Sequence, residues 1–304
     1  MKLAIITPTK DRPQDIRKML HSFMAQTRRP DQVIVVDASG EPVSAVVDEF
    51  PALKIEYKRW TDKPSAAGQR NGGEALLRDD IDLVCFFDDD QVLHRDAVEK
   101  MMAFWANQST MTQGGENLDV APLTSTAPPL GAATFYNTDN EHDDRPSAFK
   151  KSWLSQKLGL YTSRPGGVAP SGWQNLYGPM TENANVEWMG SGAAVVRRDV
   201  LAEFPFDDFF DGYSYLEDLE FSYSISRKYR MTVVTEAKFD HFHSSAGRGS
   251  AVHFGRIEVR NRLYIVKKHG LSMASFRLAM CIRFCMSIAS GQFERAKGNI
   301  DAFF

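Results

Sequence analysis

Apolar residues in the N-terminal third fall into short continuous runs, separated by stripes at helical spacing. Leu3-Ala4-Ile5-Ile6 is bounded by the polar, Pro-containing segment Thr7 to Arg12 and reads as a buried strand. Pro13 suits a first helical turn, and Ile16, Met19, Leu20 and Phe23 follow at i, i+3, i+4, i+7. Gln32 to Val36 is a second apolar run, rich in β-branched residues and closed by Asp37 and then Ala38-Ser39-Gly40. Leu53 to Tyr57 is expected as a third strand. Leu83 to Phe87 is a further one, ending in Asp88-Asp89-Asp90. Asp96 can cap a helix that carries Val98, Met101, Met102 and Trp105. Strands apolar throughout, alternating with helices, predict an α/β fold: a mostly parallel sheet with helices on both faces.

The pattern weakens over residues 106–187. Gly, Pro, Ser, Thr and Asn are frequent, with Phe135, Tyr136, Trp153, Tyr161, Trp173 and Tyr177 interspersed. The stretch reads as loop-rich, its aromatics serving either as a sugar-stacking platform or as anchors of long loops. Periodicity returns at Val186 to Arg198, where Gly190 and Gly192 imply close backbone approach before a strand. Leu219, Tyr223 and Ser226 mark a helix whose first turn holds Glu217 and Asp218. The helix dipole alone accounts for carboxylates there, and a general base is the functional alternative. Met231 to Thr235 reads as a strand, after which His241 and His243 point to the same side of an extended segment. Glu258 to His269 is a helix with Gly270 at C′. Met273 to Ile288 is apolar but interrupted by Arg277 and Arg283. It suits either packing on the core or an amphipathic helix lying on a membrane.

Chemistry follows from where strands end. In open α/β sheets the ligand crevice lies at the carboxyl ends of the strands. Thr9, Asp11, Asp37 and Asp88-Asp89-Asp90 all fall just past such ends and converge. Carboxylates gathered without matching cations repel, and a divalent metal would relieve this, with hard oxygen ligands favouring Mg²⁺ or Mn²⁺. No GxGxxG and no GxxxxGK[ST] occurs, so phosphates would need Arg70 and the metal instead.

Composition narrows the class. The chain has 304 residues, 43% hydrophobic and 25% charged, with a net charge of −3, which gives no sign of a nucleic-acid binder. Three cysteines, Cys85, Cys281 and Cys285, are too few for a disulfide framework and suit a reducing compartment. The N-terminal apolar run is too short for a signal-peptide core, and no run approaches the roughly 20 apolar residues of a spanning helix. Arg256, Arg260, Arg262, Lys267, Lys268, Arg277 and Arg283 make the C-terminal part locally basic, a charge that would suit anionic headgroups or a lipid-diphosphate acceptor.

Taken in order, these pieces resemble the family-2 glycosyltransferases, inverting enzymes of the GT-A fold. Ile5 to Arg12 is similar to the family's opening strand and nucleotide loop, including Thr7, Pro8, Thr9 and Arg12. Val33 to Gly40 resembles the second strand, whose terminal Asp37 would face the nucleobase; Ala38 replaces a frequent second acidic residue. Arg70-Asn71-Gly73 and Phe86 to Asp90 resemble the RNxG and DxD elements. Glu217-Asp218, His241 and Arg260-Asn261-Arg262-Leu263 resemble the ED motif, the strand-end histidine and the RNRL helix. The resemblance covers residues 3–105 and 186–269.

What the resemblance implies is specific. Residues 1–105 would be a nucleotide-sugar-binding α/β half, 106–250 an acceptor-binding and catalytic half of the same domain, and 251–304 a C-terminal helical extension. Thr7, Pro8, Thr9, Arg12, Asp37, Arg70, Asn71, Asp88 and Asp89 would hold a nucleoside diphosphate sugar. Asp90 and His241, with His243 as the competitor of His241, would hold Mn²⁺ or Mg²⁺. Asp218 would be the general base, with Glu217 orienting the acceptor or the loop. The acceptor would be a glycan or lipid-linked hydroxyl, in cell-surface polysaccharide or glycan synthesis. The expected location is cytoplasmic, with peripheral contact on the inner face of a membrane through the C-terminal helix. A nucleotidyltransferase and a non-catalytic nucleotide- or glycan-binding relative are the alternatives.

Overall fold

The computed structural model describes residues 1–113, 128–141, 149, 152–212, 214–242 and 250–303. Its centre is one sheet whose strands are β1 (Leu3–Thr9), β2 (Gln32–Asp37), β3 (Glu56–Arg59), β4 (Leu83–Phe87), β5 (Gln91–Leu93), β6 (Leu130–Asn137), β7 (Ala184–Val186), β8 (Ala193–Arg197) and β9 (Arg230–His241). Their order is β3-β2-β1-β4-β8-β6-β9-β5, with β7 also against β9. The run β3-β2-β1-β4 is parallel, as the continuous apolar pattern predicts. Beyond it the sheet is mixed: β8 lies antiparallel to both β4 and β6, whereas β6 and β9 are parallel.

Alternate side chains of each buried strand feed opposite cores. Leu3, Ile5, Val33, Val35, Leu83, Cys85 and Phe87 face one layer, covered by Ile16, Met19, Leu20 and Phe23 of the Pro13–Met24 helix and by Val98, Met101, Met102 and Trp105. Ala4, Ile6, Ile34, Val36, Val84 and Phe86 face the other, covered by Leu219, Phe221 and Ile225 of the Glu217–Ser226 helix. Both faces are therefore dry, which is what allows strands with no polar alternation.

Two expectations shift. The strand expected at Leu53 begins instead at Glu56, because Pro51 starts a 3₁₀ turn and Lys54 takes a left-handed φ of 48°. The loop-rich stretch contains β6, a central strand buried along nearly its whole length. Gly131 there lies against Tyr229, whose Cβ would sit 2.5 Å from any added methyl. The Ala97–Gln113 helix runs across position 105, and β6, β8 and β9 extend the sheet of β1 to β4. His243 lies outside the described residues.

Three helices, Ala251–Lys268, Met273–Ala289 and Phe293–Phe303, follow the sheet. The first begins earlier than expected because Ser250 caps it through the His253 amide, and it ends where Gly270 takes φ 63°. The first and third cross with their backbones in contact. A Cβ on Gly298 would lie 2.1 Å from the Val252 carbonyl oxygen, and Asn299 Nδ2 donates to the Gly255 carbonyl at 2.9 Å. Beneath the crossing, buried Glu258 accepts from Arg295 at 2.8 Å. Gly298→Ala is expected to lower the unfolding free energy by about 1–3 kcal/mol, the usual cost of overpacking. Urea denaturation checks this, and an unchanged midpoint would show that the crossing tolerates a methyl.

Candidate active site

The carboxyl ends of β1, β2 and β3 are level, since Thr9 pairs with Asp37 and Asp37 with Arg59 in register. β4 ends beside them in Asp88-Asp89-Asp90. β8 starts at this same end because it runs antiparallel, so Ser191 and Gly192 are delivered to Asp88. The Asp88 amide donates to the Gly192 carbonyl at 3.0 Å. A Cβ on Gly192 would come within 2.1 Å of Asp88 Oδ2, so close approach dictates glycine.

The three carboxylates of the triplet diverge. Asp88, with its side chain a third exposed, accepts from Arg70 at 2.7 Å. Asp89 turns inward, accepting from Thr9 Oγ1 at 2.7 Å and Arg12 at 2.9 Å. Burial pushes its pKa up to about 7, against the opposing pull of Arg12 and Thr9. Asp90 meets Arg12 at 3.4 Å, and its Oδ1 lies 3.2 Å from His241 Nε2, at the last residue of β9. Burial alone would lower the His241 pKa, but the hydrogen bond and charge of Asp90, with Asp88 behind it, hold it above its ordinary value.

The expectation of unmatched carboxylates is thus corrected. Arg12, Arg59 and Arg70 are the missing cations, brought in from three separate segments. Arg59, which the sequence reading did not single out, meets Asp37 at 2.9 Å. Asp37 also accepts from the Ser39 and Val43 amides and from Tyr57 Oη. Burial, which raises its pKa, is outweighed by these donors, so the group stays below the usual carboxylate range. Its lone pairs are committed to protein, and they fix the turn beyond β2. Thr7 and Pro8 are buried within β1. Asn71 likewise turns away: its amide both donates to and accepts from the backbone of Phe206.

Arg70 joins the two sides of the crevice. It is almost fully buried and donates one nitrogen to Asp88 and another to Glu217, each at 2.7 Å, with its guanidinium 5.2 Å from the Phe206 ring centre. Glu217 also accepts from Ser191 Oγ at 3.4 Å. The turn before Glu217 is strained, with Ser214 at φ 53° and Leu216 at φ 71°, positions where non-glycine residues cost about 1–3 kcal/mol each. The helix it starts is clamped from the other side, since the Met189 amide donates to Ser222 Oγ, which itself donates to the Asp218 carbonyl.

Asp218 differs from the other carboxylates. Its Oδ1 accepts from the Leu219 amide at 2.7 Å, and among the described residues no cation lies within ion-pair distance of it. Burial raises its pKa despite that amide and the charge of Arg70, and Asp88 adds to the rise. Glu217 is raised too, by burial and by Asp218, in spite of Arg70.

A divalent cation fits one part of this crevice. Asp90 and His241 present a carboxylate and an imidazole within hydrogen-bond distance of each other, a donor pair suited to Mn²⁺ or Mg²⁺ completed by phosphate oxygens. Among the described residues no group of three His, Cys, Asp or Glu side chains is arranged to hold a metal unaided.

Removing Arg70 strands two carboxylates. Arg70→Met is expected to lower unfolding free energy by about 3 kcal/mol at neutral pH, near the low end for breaking a buried pair because Asp88 is partly solvated. The deficit should shrink as pH falls and Glu217, whose pKa is raised, takes up its proton. Denaturant titrations at two pH values test both parts, and a pH-independent deficit would point to lost packing alone.

Residues 4–115 match the profile described as Glycosyl transferase family 2. The uncharacterized glycosyltransferase YwdF of Bacillus subtilis (strain 168) is 26% identical over 145 residues, 48% of this chain and 53% of that protein, so the chain spans about half of that relative's length. Among solved structures, S. aureus TarS 1-349 in complex with UDP-GlcNAc shares 14% identity at a TM-score of 0.51, over 87% of this chain and 66% of that one. The mannosyltransferase PcManGT from Pyrobaculum calidifontis, in complex with GDP-Man and Mn²⁺, shares 14% identity at a TM-score of 0.52, over 100% and 81%. The chain is thus similar to glycosyl transferase family 2 over residues 4–115, and its topology is an α/β fold of the GT-A type.

Proposed function

We propose that the protein is a metal-dependent, inverting glycosyltransferase. It moves a hexosyl-type sugar from a nucleoside diphosphate sugar to a hydroxyl of a glycan or lipid-linked acceptor, in the synthesis of cell-surface polysaccharide or a related glycan. The observation that carries the reading is the contrast between Asp218 and its neighbours. Among the described residues, Asp37, Asp88, Asp89, Asp90 and Glu217 each have a cationic partner, while Asp218 has none within ion-pair distance and sits at a clamped helix start with its pKa raised. A raised carboxylate is better matched to accepting a hydroxyl proton near neutral pH than an ordinary one.

In this reading the donor lies across the carboxyl ends of β1, β2 and β4. Asp88 faces its ribose, held in orientation by Arg70. Asp90 and His241 hold a Mn²⁺ or Mg²⁺, which supplies neutralisation of the negative charge that builds on the departing diphosphate. Asp218 takes the proton of the acceptor hydroxyl as that oxygen attacks the anomeric carbon opposite the leaving group, so the configuration inverts. Glu217, locked by Arg70 and Ser191, fixes the turn that aims Asp218. The UDP-GlcNAc of TarS and the GDP-Man and Mn²⁺ of PcManGT support this class of donor and metal.

A groove of about 570 Å³ supports an acceptor approach beside that turn. It is lined by Phe209, Arg256, Ile257, Arg260, Tyr264 and Lys267. Phe209 and Tyr264 stack at 3.8 Å, and Arg260 pairs with Asp211 at 3.0 Å, a few residues before Glu217. Aromatic faces next to cations suit a glycan carrying anionic groups. Among the described residues no helix is long and apolar enough to cross a membrane.

Two measurements decide the reading. Saturating UDP, GDP, dTDP or CMP, each with Mn²⁺, Mg²⁺ or chelator, is screened by thermal shift. One diphosphate should stabilise the fold in the presence of metal, by about 2.7 kcal/mol at a hundred times Kd. Asp90→Ala should weaken the metal-dependent stabilisation, and a wild-type shift indifferent to chelator would remove the metal from the proposal. Asp218→Asn should keep nucleotide binding and lower kcat at least ~10²-fold. The wild-type rate should climb with pH along an acidic limb above the ordinary carboxylate range, as Asp218 loses its proton. Turnover by Asp218→Asn within a few-fold of wild type would reject the base.

A further inference from the structure

Most of the C-terminal cations are already buried or paired with carboxylates of this chain. Arg262 is buried, with its guanidinium 4.0 Å from the Trp173 ring centre and a bond to the Gln174 side chain. Arg256 pairs with Asp301, Arg260 with Asp211, Lys268 with Asp207 and Glu220, and Arg283 with Glu258. The basic array that the sequence suggests is largely an internal ion-pair system.

Exposed apolar side chains tell a different story. Phe149, Trp153, Leu154 and Leu158 come from the short helix Trp153–Lys157 and its flanks, and Trp153 is 70% exposed. Leu278, Met286, Ile288 and Phe293 come from the helix Met273–Ala289 and the start of the next. These two groups make up most of the large apolar side chains exposed among the described residues. They are joined through the core beneath: Phe149 meets Tyr161, and Tyr161 clusters with Leu160, Ala279 and Ile282. The helix Met273–Ala289 buries Phe276, Ala279 and Met280 on one side and leaves Leu278, Cys281, Cys285 and Ile288 on the other.

Charge selects the occupant. Residues 152–181 and 270–293 together contain four Lys or Arg and no Asp or Glu. Arg164 and Arg283 are engaged by Glu187 and Glu258, whereas Lys157 and Arg277 are exposed beside the apolar residues. Lys157 Nζ lies 4.6 Å from the Trp153 ring centre. An indole beside an ammonium group is an interfacial pair, with the ring at the level of the headgroups and the cation among their phosphates. A protein partner would give no reason for excluding every carboxylate from both segments, but an anionic lipid surface does.

We propose that these two segments form one docking surface for an anionic lipid bilayer, on which the protein lies without spanning. The proposal adds a place of action to the transferase reading and is tested without turnover. The full-length protein is sedimented with vesicles of phosphatidylcholine alone and of phosphatidylcholine mixed with phosphatidylglycerol. Binding is expected to the mixed vesicles, to weaken in high salt as screening predicts, and to blue-shift tryptophan emission. Trp153→Ser with Leu154→Ser, and separately Leu278→Ser with Ile288→Ser, should each lower partitioning at least ~10-fold, the scale of unseating one or two large apolar side chains. Both variants should keep the wild-type metal-dependent nucleotide thermal shift, which reports folding and the donor site independently. Equal binding to neutral and mixed vesicles, or partitioning unchanged in both variants, overturns the proposal. So does a concentration-dependent dimer that the Leu278 and Ile288 changes dissociate, because the face would then belong to a second copy.

Discussion

One buried guanidinium holds the site together. Arg70 leaves the helix Ala66–Glu74, which follows β3, yet one of its two carboxylate partners is Glu217, at the start of a helix more than a hundred residues later. A charge taken out of water is costly unless paired, so the ion triad forces Asp88 and Glu217 to stay within a fixed span. Lysine would not serve equally. A single ammonium point charge cannot fork between two acceptors with the fixed geometry of a planar guanidinium, nor lie flat against Phe206. The strained turn at Ser214 and Leu216 persists because this anchor and the Ser222 clamp hold its far end.

The mixed topology follows the same need. An all-parallel sheet would bring each new strand to the crevice by its carboxyl end, after a crossover. β8 does the reverse, entering at the crevice and leaving away from it. Its leading residues can therefore touch Asp88 and Glu217 directly, and glycine at 192 lets backbone rather than side chain make the approach. β9 then returns parallel to β6 and ends with His241 at Asp90. Half of the crevice is parallel-sheet architecture, and half is made by strand starts and a strand end from the antiparallel part.

This division explains what the sequence could disclose. β1, β2 and β4 are legible because both faces are buried and the apolar run is unbroken. β6 is hidden because Gly131, Ala132 and Ala133 carry little hydrophobic signal, although small residues are what its packing against Tyr229 demands. The carboxylates announce themselves as a triplet and a pair. Their cations do not, since Arg12, Arg59 and Arg70 have no pattern marking them as partners and only register and topology bring them in. Hence a cluster that looks unpaired in sequence is largely ion-paired in three dimensions. Asn71 lies beside Arg70 in the chain, and its amide is hydrogen-bonded to the Phe206 backbone.

Balance has a chemical consequence. A crevice of unpaired carboxylates would bind a metal tightly and repel a diphosphate, whereas paired ones present little net charge until the substrate arrives. Asp89 and Asp37 are then parts of the frame, closing the ends of β1 and β2. Asp88 and Asp90 remain partly committed, each holding a cationic partner that a substrate or metal would rearrange. Asp218 has no cation within ion-pair distance among the described residues, and burial is the largest influence on its affinity for protons. The same acid, placed five times in one crevice, thus takes different roles according to which donors reach it, and the donors are fixed by strand direction.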